Sequence, residues 1–342
     1  MQVGISLVDL AMGGAQTFLV QLANGLSLRG YSIRYFLYAP RSGPHHAVPG
    51  LLGSLERCAT PVHYPWQLLA CDVIQLDGYH SLWRKLPYLP RWSRCVETYH
   101  SAYSIRRSGP LYPPHRIASS KLLQSLLPEP SFLIYQGIPL PETCLDQDRP
   151  YDVVLLGRIH PVKQHLLFLQ VCEKLFDKYS GLSVLLIGGA PDDGPYQSQV
   201  QAEIEQLTQK GARFHLTGDI PPEQVFNWLG QARVCLVTSQ SEGLGRMAIE
   251  ALACSTPVVA NPVGGLLEII QDGQNGFLAR LNDLDSFAAL ASRLLEDESL
   301  RKSLGRAGRK MVESRFSFEA MLDAYDHLYQ QIAGGGTLDK AG

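Results

Sequence analysis

The sequence contains no apolar run close to the roughly 18 residues that a membrane-spanning helix requires. Its N-terminus lacks the basic stretch of a secretory leader, and Asp9 interrupts the apolar segment there. Seven cysteines are scattered along the chain without a Cys-x-x-Cys pair, which argues against a disulfide framework and against a zinc site. These absences predict a reduced cytoplasmic protein that does not cross a membrane, although it could touch the inner face of one.

Two ligand-binding signatures are also missing. The first predicted strand, residues 2–8, is followed by Gly13 and Gly14 but not by a full Gly-x-Gly-x-x-Gly, and no well-placed acidic residue follows the second strand, residues 32–37. A nicotinamide site is therefore not expected, and a dinucleotide oxidoreductase is the weakest functional alternative. No Asp-x-Asp pair stands at the end of a predicted strand, so we expect no metal site.

Charge is divided unevenly along the chain. Residues 1–140 contain 12 Lys and Arg against 6 Asp and Glu, whereas residues 141–342 contain 18 against 26. A basic half joined to an acidic half predicts that only the first half meets an anionic surface or ligand. The chain is long enough for two α/β domains, and the Pro-rich, aperiodic segment 139–150 is the predicted linker between them.

One stretch organises the second half. The apolar run 234–237 is typical of a buried strand, a glycine loop follows it, and good helix formers follow the loop. Gly243 and Gly245 let a ligand approach the backbone, and the free N–H groups of the helix start suit a phosphate. Glu242 before the helix and Glu250 in its second turn could each bind a sugar diol. The stretch predicts a nucleotide-sugar pocket, and helix-dipole compensation or a solvated helix face is the plainer interpretation.

Two further loops support the pocket. A second strand at 256–260 leads into another glycine loop and helix at 262–270. Upstream, the strand 151–156 leads into a loop that carries Arg158 and Lys163, two cations that could grip a diphosphate from two sides. Successive units of this kind point their loops at one edge of a parallel sheet, where such sheets bind ligands.

Together these segments resemble the retaining glycosyltransferases of family GT4, also called group 1. The hallmark is two glutamates separated by seven residues, matched by Glu242 and Glu250, followed by a Pro-Val-Val strand and a Gly-Gly-x-x-Glu segment. The resemblance covers nearly the whole chain. It implies the GT-B architecture: two Rossmann-like α/β domains facing across a cleft, an acceptor domain at 1–140 and a nucleotide-sugar domain at 151–317. It also implies that a last helix, residues 318–332, crosses back to the first domain.

The resemblance implies roles for individual residues. Arg158 and Lys163 would stabilise the leaving diphosphate in place of a metal, and Glu242 would position the sugar hydroxyls. His100, at a predicted strand end, would reach the transferred sugar or its phosphate. The positions that match the family's donor-binding residues are Gly13, Gly14, Gly188, Ile220, Gly243, Leu244, Gly245 and Glu250.

The implied reaction moves a sugar from a nucleoside-diphosphate sugar to a hydroxyl acceptor with retention of configuration, in polysaccharide, glycolipid or other glycoconjugate synthesis. A UDP-sugar is favoured over a GDP-sugar, and no further cofactor is expected. Two positions depart from the family: Gln136 stands where Asn is usual, and Gln164 where Gly is usual. The alternatives are a nucleotide-sugar epimerase, against which the glutamate pair argues, and a non-catalytic nucleotide-sugar-binding scaffold, against which the intact charged residues argue.

The composition changes between residues 78 and 114, where Tyr and Trp alternate with Arg and Lys among prolines. The basic excess is too mild and local for nucleic acid. We interpret the segment as a surface for anionic headgroups or for an anionic, lipid-linked acceptor, although ordinary surface loops have a similar composition. The residues assigned to this surface include Arg84, Lys85, Tyr88, Arg91 and Tyr99.

Overall fold

The computed structural model describes residues 1–7, 14–37, 54–57, 68–78, 85–141, 148–189 and 194–335 of the chain. The chain divides into two compact units, Met1–Gly137 with Phe318–Gly342 and Ile138–Ser317. Each unit is a parallel sheet with helices packed on it. The predicted α/β class with two Rossmann-like domains is therefore confirmed.

The first unit contains the strands β1 (Gln2–Leu7), β2 (Ser32–Leu37), β3 (Ser54–Arg57), β4 (Val73–Leu76), β5 (Cys95–Tyr99), β6 (His115–Ala118) and β7 (Phe132–Leu133). They form a parallel sheet in the order β3-β2-β1-β4-β5-β6-β7. β4 and β5 are buried at every position. This burial suits their apolar and β-branched residues, since helices cover parallel sheets on both faces.

The described helices between these strands are α1 (Gly14–Leu28), a 3-10 helix (Leu86–Arg94), α2 (Ala102–Ser108) and α3 (Lys121–Ser125). α1 buries Phe18, Leu22 and Leu26, which recur at helical spacing. Ser101 and Ser120 accept hydrogen bonds from the first-turn N–H groups of α2 and α3, and so fix where these helices begin.

The second unit contains the strands β8 (Tyr151–Leu156), β9 (Ser183–Ile187), β10 (Arg213–Leu216), β11 (Ala232–Val237), β12 (Val258–Ala260) and β13 (Gly276–Leu278). Their order in the parallel sheet is β10-β9-β8-β11-β12-β13. The order reverses direction between β8 and β11, and this switch point is where open α/β sheets form a ligand crevice.

The helices of this unit are α4 (His165–Lys178), α5 (Pro195–Gln209), α6 (Val225–Gly230), α7 (Arg246–Ala253), α8 (Leu266–Ile269), α9 (Leu284–Glu296) and α10 (Glu298–Arg315). Asp283 and Asp297 cap α9 and α10. α10 packs closely on α7, because a Cβ at Gly308 would lie 2.5 Å from Leu252.

The last helix, α11 (Phe318–Ala333), belongs to the first unit. Its buried residues Leu322, Tyr325 and Tyr329 share a core cluster with α1 and the central strands. Gly25 makes room for this packing, because a Cβ there would lie 2.6 Å from Leu322. The predicted return of the last helix to the first domain is confirmed.

The surface predicted between residues 78 and 114 is partly wrong. Lys85, Tyr88 and Tyr99 are fully buried, and Arg84 lies outside the described residues. Lys85 points inward because its ammonium meets the buried Glu97 carboxylate at 2.6 Å on β5. Ser108 and the Leu111 carbonyl also accept from Lys85, and Tyr99 donates to Glu97. Within the described residues, no helix is both long and apolar enough to span a membrane.

The buried pair predicts an asymmetric mutational effect. Lys85→Met removes the cation facing Glu97, and we expect it to lower the free energy of unfolding by about 3–5 kcal/mol. The double variant Lys85→Met/Glu97→Gln should recover most of that loss, because no uncompensated charge stays buried. Urea unfolding of both variants measures the difference. A single variant as stable as the wild type, or a double variant no better than the single, would contradict the assignment.

Candidate active site

The loops that follow three neighbouring strands of the second unit, β9, β8 and β11, carry most of the predicted site residues. β9, β8, β11 and β12 are adjacent in the sheet, and parallel strands end at the same edge. Arg158 and Lys163 follow β8, Gly188 follows β9, and the stretch 242–245 follows β11. The fold therefore gathers at one edge residues that lie far apart in the sequence.

Lys163 and Glu242 form an ion pair. The ammonium lies 2.6 Å from the Glu242 carboxylate, and both side chains are largely shielded, at 23% and 11% exposure. The Thr238 hydroxyl donates to the Lys163 carbonyl at 2.9 Å, and the Gln240 N–H donates to the Val162 carbonyl at 2.8 Å. These bonds fix the loop after β8 against the loop after β11, so the two charges are preorganised.

Arg158 is exposed, one residue beyond the close contact between Gly157 and Gly188. A Cβ at Gly188 would lie 2.6 Å from the Gly157 carbonyl oxygen, and Gly188 has a φ of +123°. Glycine is therefore required there for two loops to touch. No carboxylate within the described residues forms an ion pair with Arg158, so its guanidinium is available for an anionic ligand.

The glycine loop before α7 is supported by the second glycine loop. Gly245 adopts a φ of +98° at the N-cap of α7. A Cβ at Gly264 would lie 1.8 Å from the Glu242 carbonyl oxygen, and one at Gly265 would lie 2.4 Å from the Leu244 carbonyl oxygen. The second loop thus packs on the backbone of 242–245. The Leu244 side chain is buried, so this residue can offer a ligand only its backbone.

Glu250 lies one turn into α7 and is held by Arg246. The Arg246 Nε donates to Glu250 Oε1 at 2.7 Å, and the two side chains are only 13% and 12% exposed. The spacing of four residues places both on one face of the helix. The spacing of Arg246 and Glu250 is visible in the sequence, but the prediction for Glu250 did not use it.

Asn261 is a residue that the sequence analysis missed. It is fully buried directly after β12, where its amide nitrogen donates to the Thr238 and Ser239 carbonyls at 2.8 and 3.2 Å. The same nitrogen lies within bonding distance of Gln164 and Asn282. A polar residue immediately after an apolar strand was the available signal, because a buried amide at that place must find partners among the loops.

The predicted base-binding residue Ile220 is half-buried in the loop after β10, at the outer side of the same sheet. Its neighbour Asp219 accepts a hydrogen bond from the Gly189 N–H at 3.0 Å. A Cβ at Gly189 would lie 2.6 Å from that carboxylate. The loops after β9 and β10 are thereby joined, at positions next in the chain to Gly188 and Ile220.

Two of the predicted residues lie in the first unit and one lies outside the described residues. His100 follows β5, and its ring packs edge-on against Phe18 of α1 with centroids 4.9 Å apart. Gly14 is the first residue of α1 and is exposed. Gly13 lies outside the described residues.

Aspartates in Asp-x-Asp spacing do occur, at 146–148 and 283–285, although neither pair directly follows a strand. Asp283 caps α9 by accepting from the Ser286 N–H, and Asp285 pairs with Lys174. Among the residues that the structure describes, no group of three or more His, Cys, Asp or Glu side chains is placed to hold a metal ion.

His165 is buried at the start of α4, next to the loop that carries the two cations. Burial lowers its pKa to about 4, and the charge of Lys163 acts in the same direction. The imidazole is therefore neutral near pH 7, and the cations of this loop remain Arg158 and Lys163.

Comparison with known proteins agrees with this geometry. The family model described as glycosyl transferases group 1 matches residues 145–311, within the second unit. An uncharacterized glycosyltransferase of Methanocaldococcus jannaschii is 35% identical over 133 residues, which are 38% of this chain and 38% of that protein. A D-inositol 3-phosphate glycosyltransferase of Segniliparus rotundus is 34% identical over 194 residues, covering 54% of this chain and 41% of that protein. The chain thus matches about two-fifths of the length of these relatives.

Solved structures match over nearly the whole chain. HepE of Anabaena, in complex with UDP-glucose, gives a TM-score of 0.79 at 17% identity and covers 97% of this chain and 100% of that one. The sucrose-phosphate synthase of Thermosynechococcus elongatus gives 0.73 at 21% identity, covering 98% and 100%. These neighbours have the GT-B fold, and the likeness to them shows the fold of this chain.

The neutral His165 gives a testable pH dependence. Its folded pKa lies below the ordinary value of 6.5, so the unfolded state binds more protons and stability falls as pH drops from about 6.5 to 4. We expect this one group to cost up to about 3 kcal/mol below pH 4. In His165→Leu the urea midpoint should fall less steeply over this range, whereas His327→Leu, at an exposed position, should retain the wild-type slope. Equal slopes for the wild type and His165→Leu would show that burial does not hold this histidine neutral.

Proposed function

We propose that the chain is a retaining GT4 glycosyltransferase that moves a sugar from a nucleoside-diphosphate sugar to a hydroxyl acceptor. The observation that carries this proposal is the meeting of Lys163 with Glu242 beside the exposed Arg158, at the carboxyl edge of the sheet. The proposal assigns the sugar to this carboxylate and the phosphates to the two cations, and the N-terminus of α7, shortly after Glu242 in the chain, adds partial positive charge.

The difficult step is departure of the nucleoside diphosphate from an oxocarbenium-like sugar. Negative charge grows on the leaving phosphate, and preorganised cations stabilise that charge more than they stabilise the bound substrate. Arg158 and Lys163 supply this stabilisation in the proposal, together with the N–H groups of the loop 243–245. Transfer then needs no metal ion, because the cations take the place that a divalent ion would have.

The carboxylates select the two sugars of the donor. Glu242 accepts hydrogen bonds from hydroxyls of the transferred sugar, and donor binding shifts Lys163 from this carboxylate towards the diphosphate. Glu250, whose Oε1 is held by Arg246, accepts from the ribose hydroxyls with its other oxygen. His100 keeps in this proposal the role that the resemblance implies.

A UDP-sugar is the proposed donor, and HepE, which has a similar fold, was solved with UDP-glucose. A panel of UDP-, GDP- and ADP-sugars in a thermal-shift assay tests this choice, because a ligand that binds the folded state raises the unfolding midpoint. With a nucleotide sugar that raises the midpoint, release of the nucleoside diphosphate during transfer should continue in EDTA. No shift with any nucleotide sugar would reject the function, and activity lost in EDTA but restored by Mg²⁺ or Mn²⁺ would reject metal independence.

Removal of the site charges should abolish transfer without unfolding the chain. Arg158→Ala and Glu250→Gln are expected to lower turnover a hundredfold or more, on the order of 3 kcal/mol, since each removes a preorganised contact to the donor. Glu250→Gln retains an acceptor for Arg246 and so protects the fold. Arg306→Ala and Glu203→Gln, at exposed positions on α10 and α5, serve as controls with wild-type turnover. Near-normal turnover in a folded site variant would remove that residue from the site.

For the acceptor, we propose an amphipathic or lipid-linked molecule at an anionic membrane surface at the cytoplasmic side. The supporting residues are exposed apolar, aromatic and basic residues of the segment 85–107, namely Leu86, Leu89, Arg91, Tyr103, Arg106 and Arg107. Leu86 and Leu89 share a face of the 3-10 helix, which repeats every three residues. The one acidic residue of the segment 85–107 is the buried Glu97, so the charges that the segment itself exposes are positive.

Liposome flotation tests the membrane contact. Each arginine near an anionic leaflet adds about 1 kcal/mol of attraction, so the three exposed arginines should give binding that is reversible and weakens with salt. Vesicles of phosphatidylcholine with phosphatidylglycerol should carry the protein, and phosphatidylcholine alone should not. Binding should fall in Arg91→Glu/Arg106→Glu/Arg107→Glu but persist in Lys302→Glu/Arg306→Glu/Lys310→Glu, which changes the net charge equally on α10. If the wild-type chain does not bind anionic vesicles at low salt, an acceptor free in solution is favoured.

A further inference from the structure

The first unit contains a hydrogen bond that was not predicted from the sequence. Gln136 Nε2 lies 2.6 Å from His100 Nδ1. Gln136 is buried, at 5% exposure, three residues beyond β7, whereas His100 directly follows β5 and is partly exposed. The two residues are 36 positions apart, and the sheet order β5-β6-β7 brings them together.

The bond is built into the fold. On one side, the His100 ring packs edge-on against Phe18, which limits its rotation. On the other side, the Gly137 N–H donates to the Met321 sulfur at 3.1 Å, and the Ile134 N–H donates to the Ala118 carbonyl at 3.1 Å. The backbone on both sides of Gln136 is therefore held in place. This limits where the Gln136 side-chain amide can lie relative to the imidazole.

The chemistry of the two groups determines where the ring proton lies. An amide nitrogen only donates, so His100 Nδ1 must accept, and the proton of the neutral imidazole resides on Nε2. We propose that Gln136 is a positioning residue that holds His100 as the Nε2–H tautomer. In this tautomer the Nε2 atom of His100, which is buried, is a hydrogen-bond donor and cannot act as a general base.

The role of this tautomer in ligand binding rests on the proposed function. The tautomer itself can be tested without that function. A donor N–H suits a sugar hydroxyl or a phosphate oxygen, both of which accept hydrogen bonds. The opposite amide orientation would place a carbonyl oxygen against Nδ1–H and leave Nε2 as an acceptor. The two arrangements differ in which nitrogen carries the proton, and that can be measured without any substrate.

The first test is a long-range ¹H–¹⁵N spectrum of the full chain labelled with [¹⁵N]histidine. The His100 signals are assigned by their loss in His100→Asn. We expect an unprotonated Nδ1 and a protonated Nε2 in the wild type, and a mixture of tautomers in Gln136→Met, which retains the length of the side chain but not the bond. Gln124→Met is the matched control, because Gln124 also donates from its amide in this unit, to the Ser131 carbonyl. A protonated Nδ1 in the wild type, or an unchanged pattern in Gln136→Met, would overturn the proposal.

The second test is kinetic. Gln136→Met should lower kcat roughly tenfold in a folded protein, with a smaller change in the donor KM, and should add nothing in a His100→Ala background. Equal losses in both backgrounds would show that Gln136 acts on the fold and not through His100. If Gln136→Met does not fold, Gln136→Asn, shorter by one methylene, replaces it in both tests. If no nucleotide sugar supports transfer, the proposed function fails, and the tautomer measurement still decides the role of Gln136.

Discussion

The amide of Asn261 is the contact on which the arrangement of the second unit's loops depends. It is completely buried, and it binds carbonyls of the loop after β11 while also meeting Gln164 and Asn282. Gln164 and Asn282 both have left-handed backbone, with φ of 50° and 54°. This conformation costs a residue other than glycine about 1–2 kcal/mol, and the bonds to one buried amide offset that cost. The Gly usual at the place of Gln164 would adopt the conformation without strain but could offer no side-chain acceptor.

Two Lys–Glu ion pairs in this protein differ in how far they are shielded from solvent. Lys85 and Glu97 are completely shielded and surrounded by hydroxyls, so nothing remains for a ligand to bind. Lys163 and Glu242 are shielded less, and both remain partly accessible at the edge of the sheet. A buried pair resists separation because each charge would be left in a poor solvent. A pair at a loop edge can exchange its partner for a phosphate or a hydroxyl, and this difference makes the second pair a candidate for binding.

The sequence predicted what short-range patterns determine. Strand ends followed by glycines predicted loops at Arg158, Gly188 and Glu242, and the structure brings these loops to one edge of the sheet because its strands are parallel. It could not show that Lys163 meets Glu242, since 79 residues separate them and only strand order brings them together. It misassigned Lys85, because a Pro-rich aromatic segment without periodicity does not reveal which side chains point inward. The buried carboxylate on β5 determines that direction.

His165 is buried next to the two cations of the loop after β8 and adds no third charge to them near neutral pH. A third positive charge beside Lys163 would repel it and would also have to be buried, and both effects oppose protonation. Because the pKa lies near 4, the imidazole does not change its charge between pH 5 and 8. The positive charges that this loop presents near neutral pH are therefore those of Arg158 and Lys163, and the N-terminus of α7 adds a partial positive charge next to them. Glu242 balances Lys163 in the ion pair, so Arg158 leaves one positive charge beside that pair.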